Sequence, residues 1–308
     1  MSRSVGDEMS DWKEGLKAQH LGEVRWNEPL CRHTTFRIGG PCAAMVLPKT
    51  IEQAAAVLAY ARQNQVPFCV LGSGSNVLAA DEGYDGLIIK LGGQLKQLTI
   101  AGQTLRAEAG LPLPVLAHQA AAAGLAGLAF AAGIPGTVGG AVVMNAGAHG
   151  GQMSDIIQSV TFCDEEGQIV TIPAKQAGFV YRSSAFKNRA QWTVLAVDCQ
   201  LKTGNAQEIL AQMAAYQQER LHKQPQGLPS AGSVFKNPPG DAAGRLIEAI
   251  GAKGWRVGDA QVSEVHSNFI VNLGQATCAD VLALAAQIQE AVWQQFGLKL
   301  EREIVVLR

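Results

Sequence analysis

Hydrophobic positions in the first third of the chain follow helical and strand-like spacing in turn. Residues 51–65 carry apolar side chains three and four positions apart, which predicts an amphipathic helix. Short apolar runs at 45–47, 67–71 and 86–91 each predict a strand. This order is typical of an α/β unit, so we expect the first part of the fold to be built on one.

The middle of the chain has a different pattern. Residues 95–109 alternate apolar and polar side chains, which predicts two antiparallel strands turned at Ala101 and Gly102. Residues 156–164 and 168–172 predict a hairpin, and residues 192–201 predict a further strand. A short helix is expected at 115–123, so this region is strand-rich and does not repeat the β-α-β order.

Helices and strands alternate again in the last third, after a change of composition near residue 203. Apolar spacing predicts helices at 206–221, 241–250 and 277–296, and strands at 269–273 and 303–307. We therefore expect a small α+β domain here. Residues 1–30 are interpreted as a polar leader with one short helix.

Composition and charge exclude several classes of function. The 25 Lys and Arg residues nearly balance 26 Asp and Glu residues, which argues against a protein that binds polyanions through bulk charge. Aromatic residues make up only 6% of the chain, so base-stacking surfaces for single strands are not expected. No nucleic-acid partner is therefore predicted.

The six cysteines and the N-terminus indicate a reducing compartment. No cysteine pair has CxxC spacing and no His/Cys cluster has zinc spacing, so we predict reduced core thiols and no metal site. The N-terminal residues mix charges and lack the apolar run of a signal peptide, which favours a cytoplasmic protein.

A long segment without charge, residues 109–154, has two possible interpretations. Its second half is long enough to cross a bilayer, but it contains seven glycines and Pro135 and would make a poor helix. We favour a buried, turn-rich loop that approaches a ligand closely, and we expect no membrane span.

Five short segments could carry chemistry, and each also has an ordinary structural explanation. Residues 72–76 are either an anion-binding loop or a strand-end turn, and residues 131–148 either lie along a flat ring system such as flavin or form a glycine-rich core crossing. Arg182 either holds a carboxylate or is solvated. Ser233 could act as a proton donor or a nucleophile, or it could be an ordinary loop serine. Glu301 and Glu303 are predicted on one face of a strand, where either one of them is functional or both are solvated.

Taken in order, these segments resemble one family from about residue 30 onward. The segments are Thr-Phe-Arg-Ile-Gly-Gly at 35–40, Gly-Ser-Gly-Ser-Asn at 72–76, Gly-Ile-Pro-Gly-Thr-Val-Gly-Gly at 133–140, Asn-Ala-Gly-Ala at 145–148, Tyr-Arg-Ser-Ser at 181–184, Gly-Ser-Val-Phe-Lys-Asn-Pro at 232–238, residues 263–272 and the terminal glutamate. The chain is similar to the UDP-N-acetylenolpyruvoylglucosamine reductase family of bacterial cell-wall synthesis.

The resemblance implies an α+β protein with non-covalent FAD. It implies an FAD-binding domain of the vanillyl-alcohol-oxidase type at 31–203, in two α/β subdomains (31–92 and 93–203), then a substrate domain at 204–298 and a returning strand at 299–308. Residues 35–40 would help complete the FAD pocket. The implied FAD-binding residues are Gly72, Ser73, Gly74, Ser75, Asn76, Gly133, Pro135, Gly136, Thr137, Gly139, Gly140, Asn145 and Gly147.

The family reaction implies roles for three catalytic residues. NADPH reduces FAD and leaves; UDP-N-acetylglucosamine enolpyruvate then takes hydride from flavin N5 at C3. By similarity Arg182 would bind the substrate carboxylate and stabilise the enolate, Ser233 would protonate C2, and Glu303 would donate a hydrogen bond or orient water. We choose Glu303 over Glu301 because the family acid directly precedes an apolar pair.

The resemblance also implies substrate contacts and a family subgroup. Tyr181, Arg220, Lys223, Lys236 and Asn237 are expected to bind substrate. No long tyrosine-bearing insertion lies between residues 188 and 206, which is typical of the subgroup without a lid loop, and we expect a monomer or weak oligomer.

Two other functions stay open on the residues alone. One is another FAD-dependent oxidase of the same superfamily, acting on an alcohol or sugar; the other is a non-catalytic nucleotide-binding module. Neither His33 nor His149 lies in a pattern for covalent flavin attachment. His266 is interpreted as structural.

Overall fold

The computed structural model describes residues 5–189 and 191–308, so part of the predicted leader lies outside the described residues. The described helices are α1 (Val5–Ala18), α2 (Ile51–Gln63), α3 (Leu113–Ala122), α4 (Val138–Val143), α5 (Ala185–Asn188), α6 (Ala206–Lys223), α7 (Ala243–Ala249) and α8 (Cys278–Phe296).

The strands vary from two to eight residues in length. They are β1 (Glu23–Pro29), β2 (Pro41–Leu47), β3 (Phe68–Leu71), β4 (Val77–Ala79), β5 (Tyr84–Lys90), β6 (Leu98–Ala101), β7 (Thr104–Glu108), β8 (Leu125–Ala126), β9 (Gly147–Ala148), β10 (Gly151–Gln152), β11 (Ile157–Cys163), β12 (Ile169–Pro173), β13 (Thr193–Gln200), β14 (Lys202–Thr203), β15 (Arg256–Val257), β16 (Ala260–Val262), β17 (Ile270–Asn272) and β18 (Val305–Leu307).

The chain forms two compact units, each assembled from separate stretches of sequence. Unit 1 contains the chain up to Glu28, Cys42–Ser73 and Asp85–Tyr216, and unit 2 contains Pro29–Pro41, Gly74–Tyr84 and Gln217–Arg308. These interleaved units differ from the continuous predicted domains, whose boundaries remain a prediction.

Unit 1 is built on two sheets. One sheet has the order β1-β2-β5-β3, in which β3 and β5 are parallel, and the other has the antiparallel order β12-β11-β13-β7-β6. Helix α2 begins after Thr50, whose hydroxyl accepts the Gln53 N–H at 3.2 Å. Its apolar face and both sheets enter one buried core.

Unit 2 has its own core around the long helix α8. Thr277 and Asp280 form a capping box at its start, and Gly297 ends the helix with a φ of 65°. The core combines residues far apart in sequence, since Phe36 and Leu78 pack with the side chains of α7 and α8. The sheets of this unit are β15-β16-β17 and a parallel β18-β4 pair.

The fold confirms the predicted α+β class, and most of the predicted elements are present. The hairpin at β11 and β12 and the turn between β6 and β7 are confirmed. Two details were wrong: residues 23–29 form β1 although they read as a polar leader, and the charge-free segment contains the helix α4 as well as turns. Helix α4 escaped prediction because two of its six residues are glycine.

None of the helices among the described residues has the length and apolar composition that crossing a bilayer requires.

Candidate active site

The first part of the glycine loop, Gly72 and Ser73, follows strand β3 in unit 1. The Gly72 carbonyl accepts a hydrogen bond from Lys90 Nζ at 2.7 Å. A Cβ on Gly72 would meet Thr137 Oγ1 at 2.5 Å, and a Cβ on Gly92 would meet the Gly72 carbonyl at 2.5 Å. The loop is therefore packed closely on its inner side, where only glycine fits.

The charge-free segment gives glycine two separate uses. Gly139 lies against Ala109, where an added Cβ would be 2.8 Å from the Ala109 Cβ, so this glycine serves close packing. Gly140 and Pro135 are exposed. Thr137, which is buried, caps α4 by accepting the Gly140 N–H at 3.4 Å. The segment thus presents an exposed, uncharged edge on a buried base.

The buried Asn145 side chain organises the chain that follows α4. Its Nδ2 donates to Gln152 Oε1 at 3.2 Å and to the Val180 carbonyl at 3.1 Å, and its Oδ1 accepts the Ser154 N–H at 2.9 Å. Because its amide hydrogens already have protein acceptors, Asn145 would shape an FAD site through the backbone rather than bind FAD with its side chain.

Arg182 lies in a tight turn that unit 1 holds firmly. Val180 and Ser183 exchange two backbone hydrogen bonds of 3.0 and 3.2 Å, which places Arg182 in the left-handed region with φ 53°. The buried Ser184 hydroxyl donates to the Val143 carbonyl at 2.8 Å. The Arg182 Nη2 donates to the Gly147 carbonyl at 2.9 Å. The guanidinium is thereby oriented before any substrate arrives.

The second part of the glycine loop, residues 74–76, belongs to unit 2. Gly74 has φ 67° and lies so close to the Thr34 Cα that an added Cβ would be 2.8 Å from it. Asn76 Nδ2 donates to the Glu303 carbonyl at 3.1 Å, and the Asn76 carbonyl accepts the Val305 N–H at 2.9 Å. Asn76 therefore fixes the C-terminal segment with its side chain.

Ser233 and Glu303 lie on neighbouring segments of unit 2. Ser233 forms a β-bridge with Phe269, and the Val234 carbonyl accepts the Glu303 N–H at 2.8 Å. The Lys236 N–H donates to the Glu301 carbonyl at 2.8 Å. The segment that carries Ser233 thus runs between the Phe269 region and the C-terminal residues, which brings two of the three predicted catalytic residues together.

A buried asparagine holds this segment from the other side. Asn268 Oδ1 accepts the Phe235 N–H at 3.0 Å, and its Nδ2 donates to the Phe235 carbonyl at 2.8 Å. The Asn268 carbonyl also accepts the Val234 N–H at 2.8 Å. One side chain thereby satisfies both peptide groups of Phe235, as a neighbouring strand would.

The predicted substrate-binding side chains differ in their surroundings. Lys236 Nζ pairs with Glu301 at 2.5 Å, and Asn237 Oδ1 accepts the Ala243 N–H at the start of α7. On α6, Lys223 bonds Glu219, whereas burial lowers the pKa of the half-buried Arg220. Asn237 therefore stabilises the start of α7, in addition to its predicted role in binding substrate.

The predicted site residues divide between the units. Unit 1 contains Gly72, Ser73, Gly133, Pro135, Gly136, Thr137, Gly139, Gly140, Asn145, Gly147, Tyr181 and Arg182, and unit 2 contains Gly74, Ser75, Asn76, Arg220, Lys223, Ser233, Lys236, Asn237 and Glu303. Among the described residues, no group of three or more His, Cys, Asp or Glu side chains could hold a metal ion.

Two residues that hold these loops by hydrogen bonds were not predicted from the sequence. Lys90 ends an apolar strand, and a lone lysine in such a run is the signal that could have identified it. Asn268 lies in the segment where His266 drew attention; burial, above all, lowers the pKa of His266, and its Nδ1 accepts the Asn268 N–H at 3.2 Å. An asparagine before a short apolar strand carries no signal of its own.

Comparison with known proteins first gives the class. The family model described as "FAD binding domain" matches residues 42–173, and the model described as "UDP-N-acetylenolpyruvoylglucosamine reductase, C-terminal domain" matches residues 224–307. A flavin domain joined to a reductase domain defines an FAD-containing oxidoreductase, which confirms the predicted enzyme class and cofactor.

Full-length relatives then give the family. UDP-N-acetylenolpyruvoylglucosamine reductase of Carboxydothermus hydrogenoformans is 45% identical over 96% of this chain and 97% of its own length. That of Moorella thermoacetica is 46% identical over 95% and 94%. The chain belongs to the UDP-N-acetylenolpyruvoylglucosamine reductase family, as predicted. The crystal structure of the Thermus caldophilus enzyme agrees with a TM-score of 0.80 at 40% identity, over 93% of this chain and 98% of that one.

The residues of unit 1 fit an FAD molecule. Within the described residues, the Gly72 and Ser73 amides donate to no carbonyl. The exposed edge at Pro135 and Gly140 offers an uncharged surface to a flat ring. Free amides suit a diphosphate, and an apolar, glycine-rich edge suits an isoalloxazine ring.

Proposed function

We propose that this chain reduces UDP-N-acetylglucosamine enolpyruvate to UDP-N-acetylmuramate with NADPH, in peptidoglycan precursor synthesis. The observation that carries the proposal is the near-full-length identity to reductases of this name, at 45% over 96% of the chain. It is supported in unit 2, where Ser233 and Glu303 lie on adjacent segments joined by the 2.8 Å Glu303–Val234 bond.

When bound, FAD supplies hydride to the substrate. The residues of the chain stabilise the negative charge that develops and donate the proton. We propose that Gly72 to Asn76 hold the diphosphate, and that Gly133, Pro135, Gly136, Thr137, Gly139, Gly140, Asn145 and Gly147 shape the flavin side. Two of these assignments act through structure: Thr137 caps α4 and Asn145 joins three segments.

Arg182 is proposed to bind the substrate carboxylate. Hydride addition at C3 puts negative charge on the enolate oxygens, and a guanidinium in a fixed turn stabilises that charge without reorganising. The exposed Tyr181 ring lies 5.3 Å from this guanidinium and would cover one side of it. Arg220, Lys223, Lys236 and Asn237 are proposed to bind the remainder of the substrate.

Ser233 is proposed to give its Oγ proton to C2 of the enolate. A serine hydroxyl is a weak acid, so it donates only to a strongly basic carbon and only when it is held in place. The bonds of Val234 and Phe235 to Asn268 provide that support. Glu303 is proposed to donate a hydrogen bond as a neutral acid or to orient water.

The experiment separates the two half-reactions by anaerobic stopped-flow. Ser233→Ala is expected to keep flavin reduction by NADPH and to slow flavin reoxidation by the enolpyruvyl substrate by about 10³-fold, within the usual range for a lost proton donor. Ser230→Ala, in the same loop, is the matched control and should react as the wild type does. Unchanged reoxidation in Ser233→Ala would remove Ser233 from the role of proton donor.

The same apparatus tests the rival functions. Reoxidation by oxygen but not by the UDP-sugar would favour an oxidase, and a bound flavin that NADPH fails to reduce would favour a non-catalytic module. Arg182→Ala should weaken substrate use and turnover together, whereas a change confined to stability would make Arg182 structural. We also propose that the protein is cytoplasmic. We further propose that it is a monomer or weak oligomer, and light scattering of the holoenzyme tests this oligomeric state.

A further inference from the structure

Lys90 is a lysine in a strand of buried aliphatic side chains. It ends β5, directly after Leu87, Ile88 and Ile89, which are fully buried, and it pairs in register with Leu71 of β3. Lys90 itself is only 8% exposed. Lysine is almost never buried to this extent without a partner for its charge.

The surroundings of Lys90 offer that ammonium little compensation. Its Nζ donates to the neutral Gly72 carbonyl at 2.7 Å, and within the described residues it forms no ion pair with a carboxylate. Burial lowers its pKa to about 8, with no contribution from another charged group. Burying this ammonium therefore costs desolvation free energy, which no opposite charge within the described residues offsets.

The position of the Lys90 ammonium indicates where an anion that neutralises it would bind. The Gly72 carbonyl is enclosed by Lys90 and by Gly92, so it faces inward, while the amide groups of Gly72 and Ser73 donate to no carbonyl in the described residues. The Gly72 carbonyl and the Ser73 N–H belong to one trans peptide and point in opposite directions, so an anion bound by the Ser73 N–H would lie on the side of that peptide opposite to the ammonium.

We propose that Lys90 is a positioning residue for the FAD diphosphate, which fixes the Gly72 peptide and supplies the positive charge that the uncharged loop lacks. This inference rests on the proposed function in one respect, that FAD binds at residues 72–76. Neutral amides bind phosphate by hydrogen bonding alone, and a nearby buried cation adds an attraction that water screens little.

The test compares two flavins on flavin-free protein. FAD carries the diphosphate and riboflavin does not, so the affinity for each is measured by quenching of flavin fluorescence with wild type, Lys90→Met, Lys90→Gln and Lys90→Arg. Lys90→Met and Lys90→Gln should lose at least tenfold in FAD affinity with little change for riboflavin. Lys90→Arg, which keeps the charge, should stay within about threefold. Lys96→Met removes an exposed positive charge six positions along the chain and serves as the matched control.

Three outcomes would overturn the proposal. Equal losses for FAD and riboflavin would make Lys90 a purely structural residue, and unchanged FAD affinity in Lys90→Gln would show that its charge is not used. A loss in Lys96→Met as large as that in Lys90→Met would assign the effect to net charge. A wild-type protein that binds neither flavin would instead contradict the proposed function. Gln retains an N–H donor, so Lys90→Gln answers the question if Lys90→Met fails to fold.

Discussion

In each unit a buried polar side chain holds a functional loop, but the two side chains differ in charge. In unit 1 the Lys90 ammonium binds the Gly72 carbonyl at 2.7 Å. In unit 2 the neutral Asn268 amide binds both peptide groups of Phe235, at 3.0 and 2.8 Å. Lysine only donates, whereas asparagine donates and accepts, so Asn268 satisfies both the N–H and the carbonyl of Phe235.

This difference shows how the two loops depend on ligand and pH. The Asn268 side-chain bonds to Phe235 carry no net charge and involve no titratable group. Lys90 is destabilising until an anion approaches, so its loop is completed by the cofactor. A charged side chain suits a loop that awaits a charged ligand, and a neutral amide suits one that must be positioned beforehand.

The largest expected effect tests whether Lys90 is destabilising in the absence of flavin. Its pKa is about 8 when folded and near 10.5 when unfolded, so between these values the unfolded chain binds more protons. The contribution of Lys90 to the free energy of unfolding should therefore rise with pH across this window, by about 3 kcal/mol at roughly 1.4 kcal/mol per pKa unit. Guanidinium denaturation of the flavin-free protein at four pH values measures it.

Lys90→Met provides the reference for that measurement. Burial raises the pKa of several cysteine thiols, that of Cys69 to about 11 among them, so these thiols lower stability above about pH 9 in both proteins. The difference between wild type and Lys90→Met isolates the lysine. Parallel pH profiles would show that the ammonium is already compensated in the fold, and the contrast with Asn268 would disappear.

The second prediction concerns Asn268. Asn268→Ala removes two side-chain hydrogen bonds and leaves the Phe235 N–H and carbonyl without them, which should destabilise the protein by about 2 kcal/mol. Because the same segment carries Ser233, flavin reoxidation by substrate should slow by about tenfold to a hundredfold while reduction by NADPH is unchanged.

Ser267→Ala is the matched control for Asn268. Ser267 is equally buried and donates to the Gly244 carbonyl at 2.6 Å, whereas Asn268 binds the peptide groups of Phe235. It should lose about 1 kcal/mol of stability and keep both half-reactions. If Ser267→Ala slows reoxidation as much as Asn268→Ala does, general destabilisation rather than positioning explains the result.

The smallest expected effect separates the two C-terminal glutamates. Glu301 pairs with Lys236, but its side chain is 72% exposed, so Glu301→Gln should change stability by less than about 0.5 kcal/mol and leave turnover unchanged. Glu303→Gln should impair turnover. Steady-state rates of both variants decide the assignment, which is wrong if Glu301→Gln alone is impaired.

Much of the fold could be predicted because the spacing of apolar residues and the local amino-acid composition indicate the same helix or strand. The spacing of Ala54, Leu58 and Ala61 predicted α2, and all three are buried. The alternation of residues 98–108 predicted the β6–β7 pair. Such features depend on neighbours in sequence and need no knowledge of distant contacts.

The interleaving of the units could not be predicted in this way. Phe36 and Leu78 read as parts of the first domain, yet they pack in the core of α7 and α8. Nothing local distinguishes an apolar residue that faces one core from one that faces another. For the candidate site, residues were carried over by resemblance, whereas Lys90 and Asn268 act through backbone carbonyls that the sequence does not display.

The pairing of β4 with β18 also has a consequence for synthesis of the chain. Asn76 and Glu303, joined at 3.1 Å, are 227 residues apart, so β4 leaves the ribosome long before its partner exists. At about 5–20 residues per second, the delay is roughly ten to fifty seconds. During that time Leu78, buried in the finished protein, has no native core to enter. Unit 2 therefore cannot complete its core until the C-terminal residues, Leu300 and Ile304 among them, have been synthesised.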